Sequence, residues 1–371
     1  MKVPFIDLNA QYQSIKQEAQ DAVLSVMDRG DFVLGGKVAE FEEAFAQYCG
    51  ATYAIGVDNG YSALKILVQA YGIGPGDEII TAANTFVSTV FAISEAGATP
   101  VLVEMDPATY NIDPLKIEAA ITASTKAIMP VHLYGQPANM DMIMSIADRH
   151  GLIVIEDASQ AHGARINGQR VGAIGHAAGF SLYPGKNLGG YGDAGIITTN
   201  DSGIDARCRM LRNLGMEVKY HHDLKGFNHR LDTLQAAVLC VKLPHLDEWS
   251  EKRRRAAAKY TRLLSDTDVI TPSIQPSAES VFHLYVIQVA NRDRLQAWLA
   301  DAGIATGIHY PIPVHLLKAY SELPYDAGSF PETERSADRL LSLPMYPEIT
   351  DEMIEYTVGK IKEFQSQQTA G

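Results

Sequence analysis

Leu152-Ile153-Val154-Ile155-Glu156-Asp157-Ala158-Ser159-Gln160-Ala161-His162-Gly163 places four aliphatic residues without a break ahead of two carboxylates. A strand with one wet face alternates apolar and polar side chains. An unbroken run is what a strand covered on both faces presents. Comparable short apolar runs recur through the first two thirds of the chain, at Tyr53–Val57, Glu78–Ala82, 100–104, 127–133, 179–183 and 194–198. Helical patterns separate them. One opens at Asp113-Pro114, a capping side chain ahead of a residue that suits the first helical position. Strand–helix alternation requires crossover connections, and it predicts an α/β fold with a mostly parallel seven-stranded sheet flanked by helices.

The 371 residues are 46% hydrophobic and 20% charged, enough to bury a core without staples. Lys plus Arg is 31 and Asp plus Glu is 44, a formal net charge of −13. Non-specific nucleic-acid binding displaces phosphate counterions with positive charge, so this balance argues against it. A local cluster can still hold an anionic ligand. Cys49, Cys208 and Cys240 match neither a disulfide framework nor a zinc spacing, and no metal is expected. Met1-Lys2-Val3-Pro4-Phe5 does not read as a secretory leader, and no run approaches the roughly 18 apolar residues of a membrane span. A cytoplasmic location, away from membranes, is the expectation.

The pattern changes near Leu243-Pro244. A large α/β domain over 1–242 and a smaller α+β domain over 243–371 are expected. The second begins with a helix over Leu246–Leu264, whose run Lys252-Arg253-Arg254-Arg255 reads as a solvated face. A Pro/Ser-containing stretch at 271–280, a strand over 282–289, and helices over 292–302 and 351–365 follow, then a polar tail.

Chemistry concentrates in three places. Phe180-Ser181-Leu182-Tyr183-Pro184-Gly185-Lys186-Asn187-Leu188-Gly189-Gly190-Tyr191-Gly192-Asp193 carries one lysine in a glycine-dense loop directly after an apolar strand. An isolated lysine is ordinarily a solvated one. The glycines weigh against that, because such density marks unusual backbone or close approach to a ligand. A desolvated lysine there suits Schiff-base chemistry. Asp157 ends a strand where ligands gather in open α/β sheets. It reads either as a helix cap or, in a pyridoxal-phosphate enzyme, as the partner of the ring nitrogen. Val57-Asp58-Asn59-Gly60-Tyr61-Ser62-Ala63-Leu64 is a strand, a glycine turn and a helix start, a place for a phosphate group. Neither a P-loop nor a Gly-x-Gly-x-x-Gly fingerprint occurs, which disfavours phosphoryl transfer and nucleotide hydride transfer.

Taken in order, Asn59-Gly60, Ala83-Asn84-Thr85-Phe86-Val87, the Glu156 to Ala164 run, Ser181 to Asn187, and Gly226-Phe227-Asn228 through Gln235-Ala236-Ala237 resemble the nucleotide-sugar aminotransferases of DegT/StrS type. These are fold type I pyridoxal-phosphate enzymes. The resemblance runs from Pro4-Phe5-Ile6-Asp7-Leu8 to His309-Tyr310-Pro311-Ile312-Pro313. It implies pyridoxal 5'-phosphate as cofactor, with pyridoxamine 5'-phosphate as the intermediate form. Lys186 becomes the Schiff-base lysine and Asp157 the partner of the pyridine nitrogen. Gln160 lies near the phenolic oxygen and Phe86 stacks on the ring. Gly60 and Tyr61 offer backbone N–H groups, and Ser181 a hydroxyl, to the phosphate. Tyr61 stands where the family more often has threonine, so only its backbone contact is carried over. Asn228 matches a residue that reaches the phosphate from the neighbouring subunit, which implies a homodimer with shared active sites.

Pro184-Gly185-Lys186-Asn187 and Arg230-Leu231-Asp232 resemble the branch that aminates carbon 3 of dTDP-linked 3-keto-6-deoxyhexoses with L-glutamate as donor, in deoxyamino-sugar biosynthesis. Branches acting on carbon 4 more often have threonine before the lysine. Lys219, Lys225 and Arg230, with His221, His222 and His229, form a basic cluster expected at the mouth for the substrate diphosphate. Tyr183, His309 and Tyr310 resemble sugar contacts. The alternatives are a carbon-4 aminotransferase on a 4-keto nucleotide sugar, a sugar dehydratase of the same family, and a non-catalytic regulatory homologue. The dehydratases replace the lysine with histidine, and Lys186 stands here.

Overall fold

The computed structural model describes residues 1–369, and among these the apolar runs become one seven-stranded sheet. Its order is Tyr53–Val57, Gly195–Thr199, Ala177–Ser181, Ile153–Asp157, Thr125–Ile128, Glu78–Ala82 and Thr99–Val103. Gly195–Thr199 runs antiparallel to both neighbours, and the remaining neighbouring pairs run parallel. Residues on opposite sides of one strand enter different cores. Phe180 packs with Phe41 and Phe45 on one face, while Ala177 packs with Leu64 and Leu67 of the helix Gly60–Ala70 on the other. Both faces are covered, as unbroken apolar runs require.

The strand expected over 127–133 covers Thr125–Ile128 instead. Pro130 has no N–H to give the ladder. Its carbonyl still accepts from the Asp157 N–H at 2.9 Å, and the His132 N–H reaches the Asp157 carbonyl at 3.0 Å. These bonds hold the segment beside the end of the central strand. The two acids there point to opposite sides. Glu156 turns inward and accepts from the N–H groups of Gly172, Ile174 and Gly175 at 2.9, 3.0 and 2.7 Å. His132 Nδ1 accepts from the Ala138 N–H, so the proton sits on Nε2 and is donated to Glu156 at 2.9 Å. Glu156 is therefore occupied, and Asp157 faces the cavity described below.

After Lys242 a 3₁₀ turn, Leu243–His245, leads straight into the helix Leu246–Leu264. The strands Tyr285–Gln288 and Leu340–Leu343 pair antiparallel, and the helices Leu246–Leu264, Arg292–Asp301 and Asp351–Thr369 enclose a separate core with them. Val3 joins that core and pairs in parallel with Ile304. Within the basic run, Arg253 is not solvated. It is 2% exposed and donates to the carbonyls of Phe282 and Met345 at 3.2 and 3.1 Å. The Pro/Ser stretch also gains structure, because Ala278–Glu279 pairs with Arg165–Ile166. Of the expected polar tail, Ala370 and Gly371 lie outside the described residues. Among the described residues no helix is long and apolar enough to cross a membrane.

One close approach assembles the sheet end. A Cβ on Gly195 would lie 2.3 Å from the Asn59 carbonyl oxygen, and one on Gly60 would lie 2.5 Å from Ser181 Cβ. Only bare glycine backbone lets the start of the helix Gly60–Ala70 sit against these strands. Gly195→Ala should therefore destabilise by ~1–3 kcal/mol through overpacking. Gly359→Ala, in a helix interior where a Cβ meets nothing within 4 Å, should stabilise by ~0.5–1 kcal/mol. Urea midpoints of the two variants should move in opposite directions.

Candidate active site

The carboxyl ends of the parallel strands meet in a cavity of about 370 Å³. Gly60, Tyr61, Phe86, Asp157, Gln160, Ser181, Tyr183, Lys186 and Tyr310 line it, together with Asn59, Ser88, Val131, Ser159 and Asp193, to which the sequence assigned no role. Asp157 and Ser181 are the last residues of their strands, and Phe86 immediately precedes the helix Val87–Glu95. Position in the topology thus brings together residues far apart in the chain.

Asp157 is buried. Its Oδ1 accepts from the Ser159 N–H at 3.1 Å, a local turn contact of the capping kind, while its Oδ2 accepts from the Thr89 hydroxyl at 2.7 Å. Burial drives the Lys186 ammonium down to about 8, with the Asp157 carboxylate opposing that fall. His162 and His309, driven to about 3 and about 4 by burial and by the Lys186 charge, are neutral at physiological pH. His283 is likewise pushed well below its ordinary range by burial and then by Lys186.

The loop that carries Lys186 is tied down from two directions. Lys242, 1% exposed, donates to the Gly189 carbonyl at 2.6 Å and lies 4.9 Å from the Tyr191 ring centre. From the same helix, Thr233–Lys242, Gln235 accepts from the Tyr191 N–H at 2.7 Å. Asn187 donates to the Val281 carbonyl at 3.0 Å and stands 3.2 Å from His283 Nδ1.

Gln160 Oε1 accepts from the Tyr134 N–H at 2.7 Å, so its Nε2 donates to the Tyr310 hydroxyl at 3.0 Å. Burial holds that phenol neutral, well above its ordinary value. The Tyr310 ring meets Phe86 at 5.1 Å, and Phe86 is 46% exposed. Asn59 caps the helix Gly60–Ala70 by accepting from the Ser62 N–H at 2.8 Å. The first-turn N–H groups of Gly60 and Tyr61 have no acceptor within the helix.

The other expected site residues lie outside this cavity. His309 stacks on Phe5 at 5.8 Å and bonds Ser342 Oγ at 2.8 Å. Asn228 is exposed and bridges Asn213, whose side chain also accepts from Arg230 at 3.1 Å. Lys219 and Lys225 are exposed, and the Lys219 ammonium lies 5.1 Å from the Tyr220 ring centre. None of the basic cluster lines the cavity, but Arg230 pairs with Val57 and His229 Nδ1 stands 2.7 Å from Asp58 Oδ2, next to the cavity-lining Asn59.

The donor set has the chemistry pyridoxal phosphate requires. It offers an amine for the aldehyde, a carboxylate for the ring nitrogen, an aromatic face for the ring, and hydroxyl and N–H donors for the phosphate. Over residues 13–362 the chain matches the DegT/DnrJ/EryC1/StrS aminotransferase family. A pleiotropic regulatory protein of Geobacillus stearothermophilus is 50% identical, over 98% of this chain and 99% of its own length. A dTDP-3-amino-3,6-dideoxy-alpha-D-galactopyranose transaminase of Aneurinibacillus thermoaerophilus is 49% identical, over 98% and 99%. The crystal structure of S. venezuelae DesV in complex with a ketimine intermediate has a TM-score of 0.96 at 44% identity, with 98% of each chain covered. Fold and cavity are those of a pyridoxal-phosphate-dependent aminotransferase. The chain belongs to the DegT/DnrJ/EryC1/StrS aminotransferase family.

An unprotonated amine is the form that attacks an aldehyde. The rate at which apo protein captures pyridoxal phosphate should rise with pH to a midpoint of about 8, against about 10.4 for an ordinary lysine. Asp157→Asn removes the group that raises this value, so its midpoint should move to lower pH. Stopped-flow absorbance across a pH series measures both.

Proposed function

We propose that this enzyme transfers the amino group of L-glutamate to carbon 3 of a dTDP-linked 3-keto-6-deoxyhexose. The single observation that carries the chemistry is the half-buried Lys186 amine set in one cavity with the Asp157 carboxylate. The broader activity, amino transfer to a nucleotide sugar, is that of the family relative at 49% identity, whose name gives a 3-amino dTDP-sugar. The Pro184-Gly185-Lys186-Asn187 pattern supports the same sugar carbon.

Bound pyridoxal phosphate supplies an aldehyde that exchanges amino groups and a ring that draws electrons from a breaking C–H bond. Lys186 Nζ holds the cofactor between turnovers. With the cofactor bound, the Nζ amine would serve as the base that takes the proton from the donor's α-carbon and as the acid that gives it up again. With its ammonium destabilised by burial, this amine is unprotonated in a minor fraction at neutral pH, but a far larger one than an ordinary lysine offers. Asp157 would accept from a protonated ring nitrogen, Phe86 would offer its face to the ring, and Gln160 would serve the phenolic oxygen. Gly60, Tyr61 and Ser181 take the phosphate at a helix N-terminus, where dipole and free N–H groups favour an anion. The same lysine would work in the reverse sense on the keto sugar, for which the cavity-lining Tyr183 and Tyr310 are the candidate contacts, with His309 behind them on Phe5 and Ser342.

A second copy completes the site in this reading. Asn228 would reach the phosphate across the interface, and Lys219 and Arg230 the substrate diphosphate. Asn228 and Lys219 are exposed and do not line their own cavity, and Leu24, Met27, Phe32 and Val33 are exposed apolar side chains available to such a pairing. The name of the relative at 50% identity favours a second reading, a ligand-responsive regulator.

Lys186→Ala should lose the cofactor fixed by borohydride and at least a hundredfold in the glutamate half-reaction, the low end for a general base. Mixing Lys186→Ala with Asn228→Ala should restore activity in hybrid dimers, because one of their two sites is then intact. Wild-type protein should turn over glutamate with the dTDP-3-keto sugar, the product's nitrogen position being read by NMR. Tight binding of keto-sugar nucleotides without any turnover would establish the regulator instead.

A further inference from the structure

Asp157 depends on a buried pair of hydroxyls outside the set that would touch the cofactor. Thr89, in the first turn of the helix Val87–Glu95, is 0% exposed, and Thr85, just before Phe86, is 3% exposed. Thr89 Oγ1 lies 2.7 Å from Asp157 Oδ2 and 2.7 Å from Thr85 Oγ1. An ionised carboxylate only accepts, so the one hydroxyl proton of Thr89 points at Asp157. The Thr89 oxygen then accepts from Thr85. That commits the Thr85 proton and draws it away from its other acceptor, the Phe86 carbonyl at 3.4 Å. Counting protons thus fixes the direction of the chain as Thr85 to Thr89 to Asp157. Oδ1 is held separately by the Ser159 N–H. With one protein donor on each oxygen, the carboxylate keeps lone pairs for the cavity it lines.

We propose that Thr89, oriented by Thr85, is a positioning residue that aims the Asp157 carboxylate into the cavity and holds it as the acceptor for a protonated ring nitrogen. The inference rests on the pyridoxal-phosphate reading above. Because Thr85 adjoins Phe86, the same two hydroxyls also tie the aromatic wall of the cavity to its acidic wall. Without the Thr89 hydroxyl, Oδ2 loses a charge-assisted bond in a site where water does not replace it. The proton shared with the ring nitrogen then moves toward Asp157. A less protonated ring withdraws fewer electrons, so the nitrogen that Lys186 shares with the cofactor becomes more basic.

The test compares wild type with Thr89→Val, which keeps the shape without the hydroxyl, and Thr89→Ser, which keeps the hydroxyl. Thr89→Val should bind pyridoxal phosphate about tenfold or more weakly, the effect of one hydrogen bond to a charged group. Its visible absorbance should titrate at higher pH than wild type, and kcat should fall with little change in KM for glutamate. Thr89→Ser should recover most of each effect. Wild-type affinity and pH midpoint in Thr89→Val would overturn the proposal, even if its apo protein melted at a lower temperature. Should Thr89→Val fail to fold, Thr85→Val should shift affinity and midpoint in the same direction by a smaller amount, and unchanged values there overturn it equally. Failure of wild type itself to attach the cofactor to Lys186 would be a separate result, ending the aminotransferase reading and this inference with it.

Discussion

An amine and a carboxylate sharing one cavity are the constraint around which the rest of this protein is arranged. Burial disfavours the charged amine, and the nearby carboxylate pulls the other way, which leaves Lys186 at about 8 instead of at an extreme. That balance holds only while no other cation enters the cavity. The surrounding histidines satisfy the condition, since burial and the lysine's own field keep His162, His283 and His309 uncharged. Two neighbouring acids could have confused it, but strand alternation sends Glu156 into the core, where backbone N–H groups and His132 occupy it.

Distant elements supply the rigidity this pair needs. The helix Thr233–Lys242 grips the lysine loop through the carbonyl of Gly189 and the N–H of Tyr191. Arg253 binds the Phe282 carbonyl, beside the Val281 carbonyl and His283 ring that receive Asn187. Burial lowers the Arg253 guanidinium to about 10 and Lys242 to about 8, with Glu348 opposing both. Two buried cations therefore spend their hydrogen bonds on main-chain carbonyls. Such bonds fix the backbone on either side of the reactive amine without adding a competing nucleophile to the cavity.

Much of this was legible in the chain. Tyr53–Val57, Glu78–Ala82 and Leu246–Leu264 occur as their apolar patterns predicted, because burial selects the side chains that form the pattern. The cavity residues were legible where a glycine-dense loop or a strand end marked them. The antiparallel direction of Gly195–Thr199 left no trace, since reversing a fully buried strand changes its hydrogen bonds and not its composition. Thr89 and Arg253 were invisible for a different reason. Each looks like an ordinary helix residue, and its meaning lies in a partner 68 or 29 positions away. A buried arginine inside a basic run reads like its exposed neighbours until the carbonyls it meets are known.

The parallel pairing of Val3 with Ile304 bears on how the molecule is made. The Val3 N–H bonds the Gly303 carbonyl at 2.9 Å, and its carbonyl accepts from the Ala305 N–H at 2.9 Å. During synthesis this residue leaves the ribosome about three hundred codons before its partners. The large sheet has all its strands by Thr199 and can assemble while the chain is still growing. The segment around Val3 must wait for Ile304 and its neighbours, so residues translated ahead of the sheet are locked in place after the sheet can already have formed.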